Sequence, residues 1–285
     1  MVRAERSRRI ASARGGKCEI IMLQMQNTSL NRARAAREEI RAGRFVGQTS
    51  TIAPGVVQGN VVIVPEDYAT DFKQYCAVNP KPCALIDMSA AGDPFLPALG
   101  DIDIRTDVPS YYIFRDGERT AELNDIRDLW KSDLVTFVLG CSFSFEEALA
   151  DAALTPRHVE MGCNVPMYIA NIPTTPAGPF RGNTIVTMRP YTAEQTIEAI
   201  QITARFPKNH GAPVYFGDPR RIGIPDINKP DFGDKVEIRE HEIPVFWACG
   251  ATPQVAITHA RPPICITHKP GCMLITDRLS EEFIA

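Results

Sequence analysis

The stretch Val138-Leu-Gly-Cys-Ser-Phe-Ser-Phe-Glu-Glu-Ala-Leu149 constrains the fold more than any other part of the chain. Its approach, Asp133 to Gly140, is rich in β-branched and aromatic residues and reads as a buried strand, whereas Ser144-x-x-Glu147 reads as a capping box that opens a helix. Cys141 is therefore expected on a strand-to-helix turn. Such turns aim backbone N–H groups and the positive end of a helix dipole at whatever anion occupies the crevice. A second passage, Trp247-Ala-Cys-Gly-Ala-Thr-Pro-Gln254, has the same layout around Cys249, with Gly250, Thr252 and Pro253 suited to a strand feeding a helix.

The remaining chain alternates in the same way. Asn27-Thr28-Ser29 can cap a helix that ends at Gly43, Val61 to Val64 reads as a buried strand, Glu66 to Asn79 as a helix and Ala84 to Met88 as a strand. The Pro-, Gly- and Asp-rich stretch Gly92 to Pro109 is expected as a loop, and Tyr111 to Glu122 as a hairpin turning at Asp116-Gly117. Thr184–Met188, Pro213–Phe216 and Pro244–Ala248 read as strands, Thr192–Phe206 and Pro253–Ala260 as helices, and two short strands flank His268-Lys269-Pro270-Gly271. No internal repeat is visible in the sequence. This alternation predicts an α/β fold, a mixed-sheet αβα core with a smaller α+β subdomain, the two interleaved across residues 27–285.

Composition narrows the function classes. A chain of 285 residues, 44% hydrophobic, is globular, and a formal net charge of −3 spread along it argues against a nucleic-acid partner. Eight cysteines without a CxxC pair, and no uncharged apolar run of spanning length, fit reduced thiols inside the cell, in the cytoplasm, rather than a disulfide scaffold or a membrane protein. Residues 1–26 carry Arg3, Arg6, Arg8, Arg9, Arg14 and Lys17 against Glu5 and Glu19; they are expected to form a disordered basic tail or an extended reading frame, with a transit peptide to the mitochondrial matrix as the alternative.

Four further stretches are too polar and too rich in Gly and Pro to be mere connections: Gly43–Ser50, Asn171–Gly178, His210-Gly-Ala-Pro213 and Trp247–Gln254. Together with the motifs RAGRFVGQTSTIAPGVVQGNVVIVPEDYATDF, GCSFSFEEAL, RHVEMGCNVPMYIANIPTTPAGPFRGNTIVTMRP, RFPKNHGAPVYFGDP, PVFWACGATPQ and ITHKPG, they make the chain similar to the D-glutamate cyclase family from about Asn31 to Asp277. Bacterial members of that family carry the name "putative hydro-lyase". The resemblance implies a lyase that converts D-glutamate to 5-oxo-D-proline and water without a cofactor. A lyase or cyclase for another small amino or hydroxy diacid, and a non-catalytic amino-acid-binding protein, are the alternatives. A homo-oligomer is left open.

No catalytic assignment comes with the resemblance, so the site follows from the chemistry. Closing the lactam requires a neutral α-amine, an electrophilic γ-carboxyl carbon and a proton for the departing oxygen, most of which is electrostatic work on a correctly folded substrate. A thioester made from an unactivated carboxylate lies uphill, so Cys141 is not expected to be a nucleophile; Cys141 and Cys249 remain candidates for proton transfer. The N–H groups of Ser142 to Phe145 with the Ser142 and Ser144 hydroxyls, Thr174 and Thr175 in the Pro-rich loop, and Thr252 on the second turn are candidate substrate contacts. Arg181 or Arg189 could clamp the α-carboxylate bidentately. His210 and Asp218 are the candidate acid and base. Glu147 is expected to be spent on the capping box, leaving Glu146 to face solvent or the crevice. Cys265-x-x-His268 with Cys272 is a poor zinc pattern, because strand positions three apart face opposite sides.

Overall fold

The computed structural model describes residues 28–285, so the basic segment 1–26 lies outside the described residues. Residues 28–41 form helix α1. Ten consecutive buried residues then make strand β1 (Val56–Pro65), longer than the Val61–Val64 core expected, because both its faces and both its edges are covered. Helix α2 (Glu66–Val78), strands β2 (Leu85–Met88), β3 (Tyr111–Arg115), β4 (Glu118–Leu123) and β5 (Leu134–Gly140), and helices α3 (Phe143–Asp151) and α4 (Arg157–Glu160) follow. The second half contains β6 (Met167–Pro173), β7 (Asn183–Tyr191), α5 (Ala193–Ala204), β8 (Tyr215–Phe216), β9 (Ile243–Ala248), α6 (Thr252–Ala260), β10 (Cys265–His268) and β11 (Leu274–Leu279).

Two sheets organise these elements. The larger has the order β2-β5-β1-β10-β3-β4, with β11 also on β1, and the smaller β6-β7-β9-β8. The α/β content is as expected, but every strand pair is antiparallel, where a mixed sheet was expected. The reason lies in the pairing. Since β5 runs against both β1 and β2, the unit β1-α2-β2 is parallel, but β5 is inserted between its strands; in the same way β9 is inserted between β7 and β8 of the unit β7-α5-β8. Two split βαβ units thus repeat a topology that the sequence does not repeat. The inserted strands are the ones that lead to Cys141 and Cys249.

The packing crosses over at those cysteines. Helix α3 leaves β5 of the larger sheet yet buries Phe145 and Leu149 against Tyr191, Val245 and Trp247 of the smaller one. Helix α6 leaves β9 of the smaller sheet and packs Ala256, Ile257 and Ala260 into the helix-side core of the larger, beside Phe72, Phe137 and Phe180. On the opposite face of the larger sheet the 92–109 stretch is irregular, as expected, and supplies Leu96, Leu99, Ile102, Ile104 and Val108 to a second core with Val61, Ile63, Tyr111 and Val138. Tyr111 holds that stretch by donating its hydroxyl to the Ile104 carbonyl.

Local signals account for most boundaries. The β3–β4 hairpin turns at Asp116 (φ 50°) and Gly117 (φ 84°), the left-handed pair that such a turn requires. Thr192 and Gln195 cap α5 reciprocally. The box expected at Ser144 and Glu147 does not form: α3 begins two residues earlier, at Phe143, and the Ser144 hydroxyl accepts the Gln58 N–H instead. Strand β8 keeps only Tyr215 and Phe216 of the stretch expected from Pro213. Among the described residues no helix is long and apolar enough to cross a membrane.

Two glycines test the packing. A Cβ at Gly140 would lie 1.7 Å from the Lys208 carbonyl oxygen, which crosses directly over the end of β5, whereas a Cβ at Gly43 (φ 69°) would meet nothing within 4 Å. Gly140→Ala is expected to destabilise the fold by about 3 kcal/mol, and Gly43→Ala only by the backbone strain of about 1 kcal/mol. Urea midpoints of the two variants check the difference, and equal losses would contradict the close approach.

Candidate active site

The two cysteine turns meet. Cys141, Ser142, Cys249 and Ala251 line one small cavity of about 20 Å³, together with Asn60, Thr187, Met273 and the His268–Gly271 turn. That volume suits a single water. The cavity exists because β10 and β11 share one side of β1 and leave a gap: Gly59 pairs with Leu274 and Val62 with Thr267, so Asn60 faces the turn between them. Larger hollows lie elsewhere. One of about 320 Å³ is bounded by Glu147, Asp151 and Ser280, and holds neither thiol; another, an open groove of about 710 Å³ with Arg119, Asp231, Asp234 and Lys269 on its walls, abuts the cavity through Pro270. We place the site at the small cavity because both strand-to-helix turns converge only there.

The turns are built alike. The Phe143 N–H donates to Cys141 Sγ and the Ala251 N–H to Cys249 Sγ, each at 3.5 Å. Ser144 N–H and Thr252 N–H donate back to the carbonyls of Cys141 and Cys249. These bonds consume donors that the sequence suggested for an anion: of the Ser142–Phe145 amides, Phe143, Ser144 and Phe145 are already paired. The N–H groups of Ser142 and Gly250 have no protein acceptor among the described residues. Burial pushes the Cys249 thiol up to about 11 and the Cys141 thiol further, so both are S–H groups at neutral pH.

Beneath Ser142 lies a buried ionic cluster. Arg189, 0% exposed, donates from Nε and Nη2 to Glu146 Oε1 at 3.2 and 2.5 Å. His158 Nε2 is 3.1 Å from the same oxygen, and Glu146 Oε2 has no partner among the described residues. The guanidinium is walled by the rings of Phe145 and Trp247, 5.5 and 5.4 Å from their centres. Burial alone would raise the Glu146 carboxyl, but the charges of His158 and Arg189 hold it below the ordinary glutamate value.

The candidates read from sequence separate accordingly. Cys141, Cys249 and Ser142 come together in the cavity wall. Ser144 and Thr252 are buried next to it with hydroxyls engaged, Ser144 by Gln58 N–H and Thr252 by donation to the Cys249 carbonyl. Arg189 is not a free clamp, since Glu146 occupies it, and Arg181 is exposed. Thr174 and Thr175 fasten their loop to α2: Thr174 accepts from the Tyr75 hydroxyl and Thr175 N–H donates to Asn79. His210 is buried with Nδ1 2.7 Å from the Lys81 carbonyl and is not in the cavity wall; Asp218 is exposed and bonded to Arg220. Glu147, freed from the cap, is exposed at the rim of the 320 Å³ hollow, and Glu146 faces neither solvent nor cavity but Arg189.

Three residues went unnoticed, Asn60, Thr187 and His158, and His268 was weighed only as a zinc ligand. The signal for Thr187 was the period of two that sets it on the face of Arg189 in the run Thr184–Met188. His268 lines the cavity, and its Nδ1 lies 3.1 Å from the Val61 nitrogen and 3.3 Å from the Val61 carbonyl oxygen. Cys265, three positions away, faces the opposite core beside Phe114 and Val64. Among the described residues no cluster of three or more His, Cys, Asp or Glu side chains is arranged for a metal.

Comparison with known proteins bears on the same elements. A family model described as D-glutamate cyclase matches residues 135–277, from β5 to β11. A protein named "putative hydro-lyase" from Bordetella petrii is 59% identical over 87% of this chain and 94% of its own length. This chain belongs to the D-glutamate cyclase family. Proteins of the same name from Verminephrobacter eiseniae and Aliivibrio fischeri are 56% and 54% identical, over 91% and 90% of this chain and 95% and 98% of their own lengths. A solved nitrogen repressor-like protein from Methanococcus jannaschii covers 81% of this chain and 90% of its own at 10% identity and a TM-score of 0.34, a likeness that carries no argument.

The family member described here has two ionic features open to measurement. Burial lowers both His210 and His268 to about 4, against 6.5 for a free histidine. The unfolded chain therefore binds more protons between these values, so their contribution is full above pH 6.5 and is lost as pH falls towards 4. Urea midpoints should drop across that window; a flat profile would contradict neutral buried rings. Glu146→Gln leaves the Arg189 charge buried without a counter-ion and should cost about 3 kcal/mol, measured by the same midpoints at neutral pH.

Proposed function

We propose that this chain is a hydro-lyase that cyclises D-glutamate to 5-oxo-D-proline. The family membership and the names of its relatives support the lyase class. The observation that carries the finer reading is the meeting of two equivalent turns on one small cavity, each contributing a protonated thiol to its wall, with the unpaired N–H of Ser142 beside them. The substrate is thus a small amino diacid, and the reaction is non-covalent.

The proton balance explains why so little machinery is needed. An ammonium and a carboxylate become an amide and water, and both hydrogens of that water come from the nitrogen. The protein need only relay them. His268 and the two thiols are the cavity-wall groups able to pass a proton. The Ser142 N–H stabilises negative charge on the γ-carboxyl oxygen as the amine adds to its carbon, an interaction that strengthens in a largely buried site. With both thiols held as S–H, thiolate attack on the carboxylate is disfavoured on two counts, since the thioester is itself uphill. A cavity of about 20 Å³ is too small for a five-carbon diacid, so the substrate must extend towards the adjoining 710 Å³ groove, with which the cavity shares Pro270.

Purified protein incubated with D- and with L-glutamate, followed by mass spectrometry, tests the reading: 5-oxoproline should form from the D isomer, and none from either isomer would overturn it. Cys141→Ala should lose about 1 kcal/mol of stability and keep most activity. Ser142 has φ −61°, which proline shares, so Ser142→Pro deletes the N–H while remaining compatible with that residue's backbone and should abolish turnover. Circular dichroism verifies both folds. An adduct on Cys141 in the intact mass would make the thiol the nucleophile, and a folded, inactive Cys141→Ala without an adduct would make it the proton relay.

A further inference from the structure

We infer that Arg189 is a positioning residue, whose guanidinium turns the hydroxyls of Ser142 and Thr187 so that both O–H groups donate to one carboxylate of the substrate. The inference rests on the dicarboxylate reading of the site and names the subsite within it.

The geometry is explicit. Arg189 Nη2 donates to Ser142 Oγ and Nη1 to Thr187 Oγ1, both at 3.0 Å. A hydroxyl has one hydrogen to give and two lone pairs to accept with. Each of these oxygens therefore spends a lone pair on the cation, and neither O–H has an acceptor among the described residues. Ser142 and Thr187 both line the cavity, whereas Arg189 does not. An oxygen that accepts from a cation is also polarised into a better donor.

The other hydroxyls at the junction differ on this point. Thr252 gives its hydrogen to the Cys249 carbonyl, and Ser144 faces Gln58 outside the cavity wall. Arg189 itself cannot reach for a carboxylate, because Glu146 takes Nε and Nη2 and the rings of Phe145 and Trp247 flank its plane. Glu146 cancels the net charge, so what arrives at the cavity is not a free cation but two aligned neutral donors. That arrangement favours an anion with two acceptor oxygens, and it fixes the orientation of that anion by the strand β7 and the turn before α3.

The test measures binding apart from turnover. Glutarate carries both carboxylates and no amine, so it cannot cyclise. Isothermal titration of glutarate into the wild type, Ser142→Ala and Thr187→Val should show about tenfold weaker binding in each variant. Arg189→Lys should weaken binding in the wild-type background and add little to a Ser142→Ala/Thr187→Val double variant, a coupling that general destabilisation would not produce. Unchanged glutarate affinity in the two folded single variants, no binding to the wild type at millimolar glutarate, or an Arg189→Lys effect equal in both backgrounds would each overturn the inference. The two small substitutions decide the matter even if Arg189→Lys fails to fold. A wild type that binds glutarate through these hydroxyls yet yields no 5-oxoproline removes the proposed reaction and supports this subsite; 5-oxoproline formation with variants of unchanged affinity does the reverse.

Discussion

A guanidinium and a carboxylate withdrawn from water persist only in each other's company, and the contact between Arg189 and Glu146 is the one on which the junction of this molecule depends. Glu146 stands on the helix that continues a strand of the larger sheet, and Arg189 on a strand of the smaller. Their pairing fixes α3 against β7 and so sets where Ser142 and Cys141 lie. The surrounding aromatic rings exclude solvent, which raises the cost of separating the charges and makes the register of the two sheets stringent.

Much of this was legible in the sequence where the signal is local. Asp116-Gly117 specifies its own turn, Thr192 and Gln195 their own cap, and the Cys141 and Cys249 passages each read as strand, turn and helix. What depends on partners distant in sequence was not legible. The insertion of β5 and β9 into the two βαβ units leaves no trace in periodicity, because a strand buried on both faces looks the same beside a parallel or an antiparallel neighbour. Ser144 misled because a capping box is defined by spacing alone, and Gln58 competes for its hydroxyl from 86 residues away. His210 and Asp218 stood out as isolated polar residues in Gly/Pro-rich loops, yet one is satisfied by backbone and the other by Arg220. Arg189, set between Met188 and Pro190 in a strand-forming run, carried a better signal: a charge in a buried run demands a buried partner.

The same burial that hides these groups sets the chemistry available. Every titratable group in the cavity wall, the two thiols and His268, is driven towards its uncharged form. An environment of that kind also disfavours a substrate ammonium relative to the free amine, which is the form able to attack a carbonyl carbon. For the proposed cyclisation, burial rather than a strong base would then favour the amine, with the directed donors left for oxygen.

The placement of β1 carries a consequence for how the protein is made. This strand is the centre of the larger sheet, yet Val61 meets His268, a partner 207 residues later. As the chain leaves the ribosome β1 can join β5, but its other edge has no partner until the final strands emerge. Until then a ten-residue strand whose apolar core is Val61–Val64 presents an open edge of the kind that recruits foreign chains. Synthesis of this protein therefore passes through a long interval in which the nascent chain depends on shielding by chaperones, and the non-local closure of β10 and β11 makes final folding slow relative to its size.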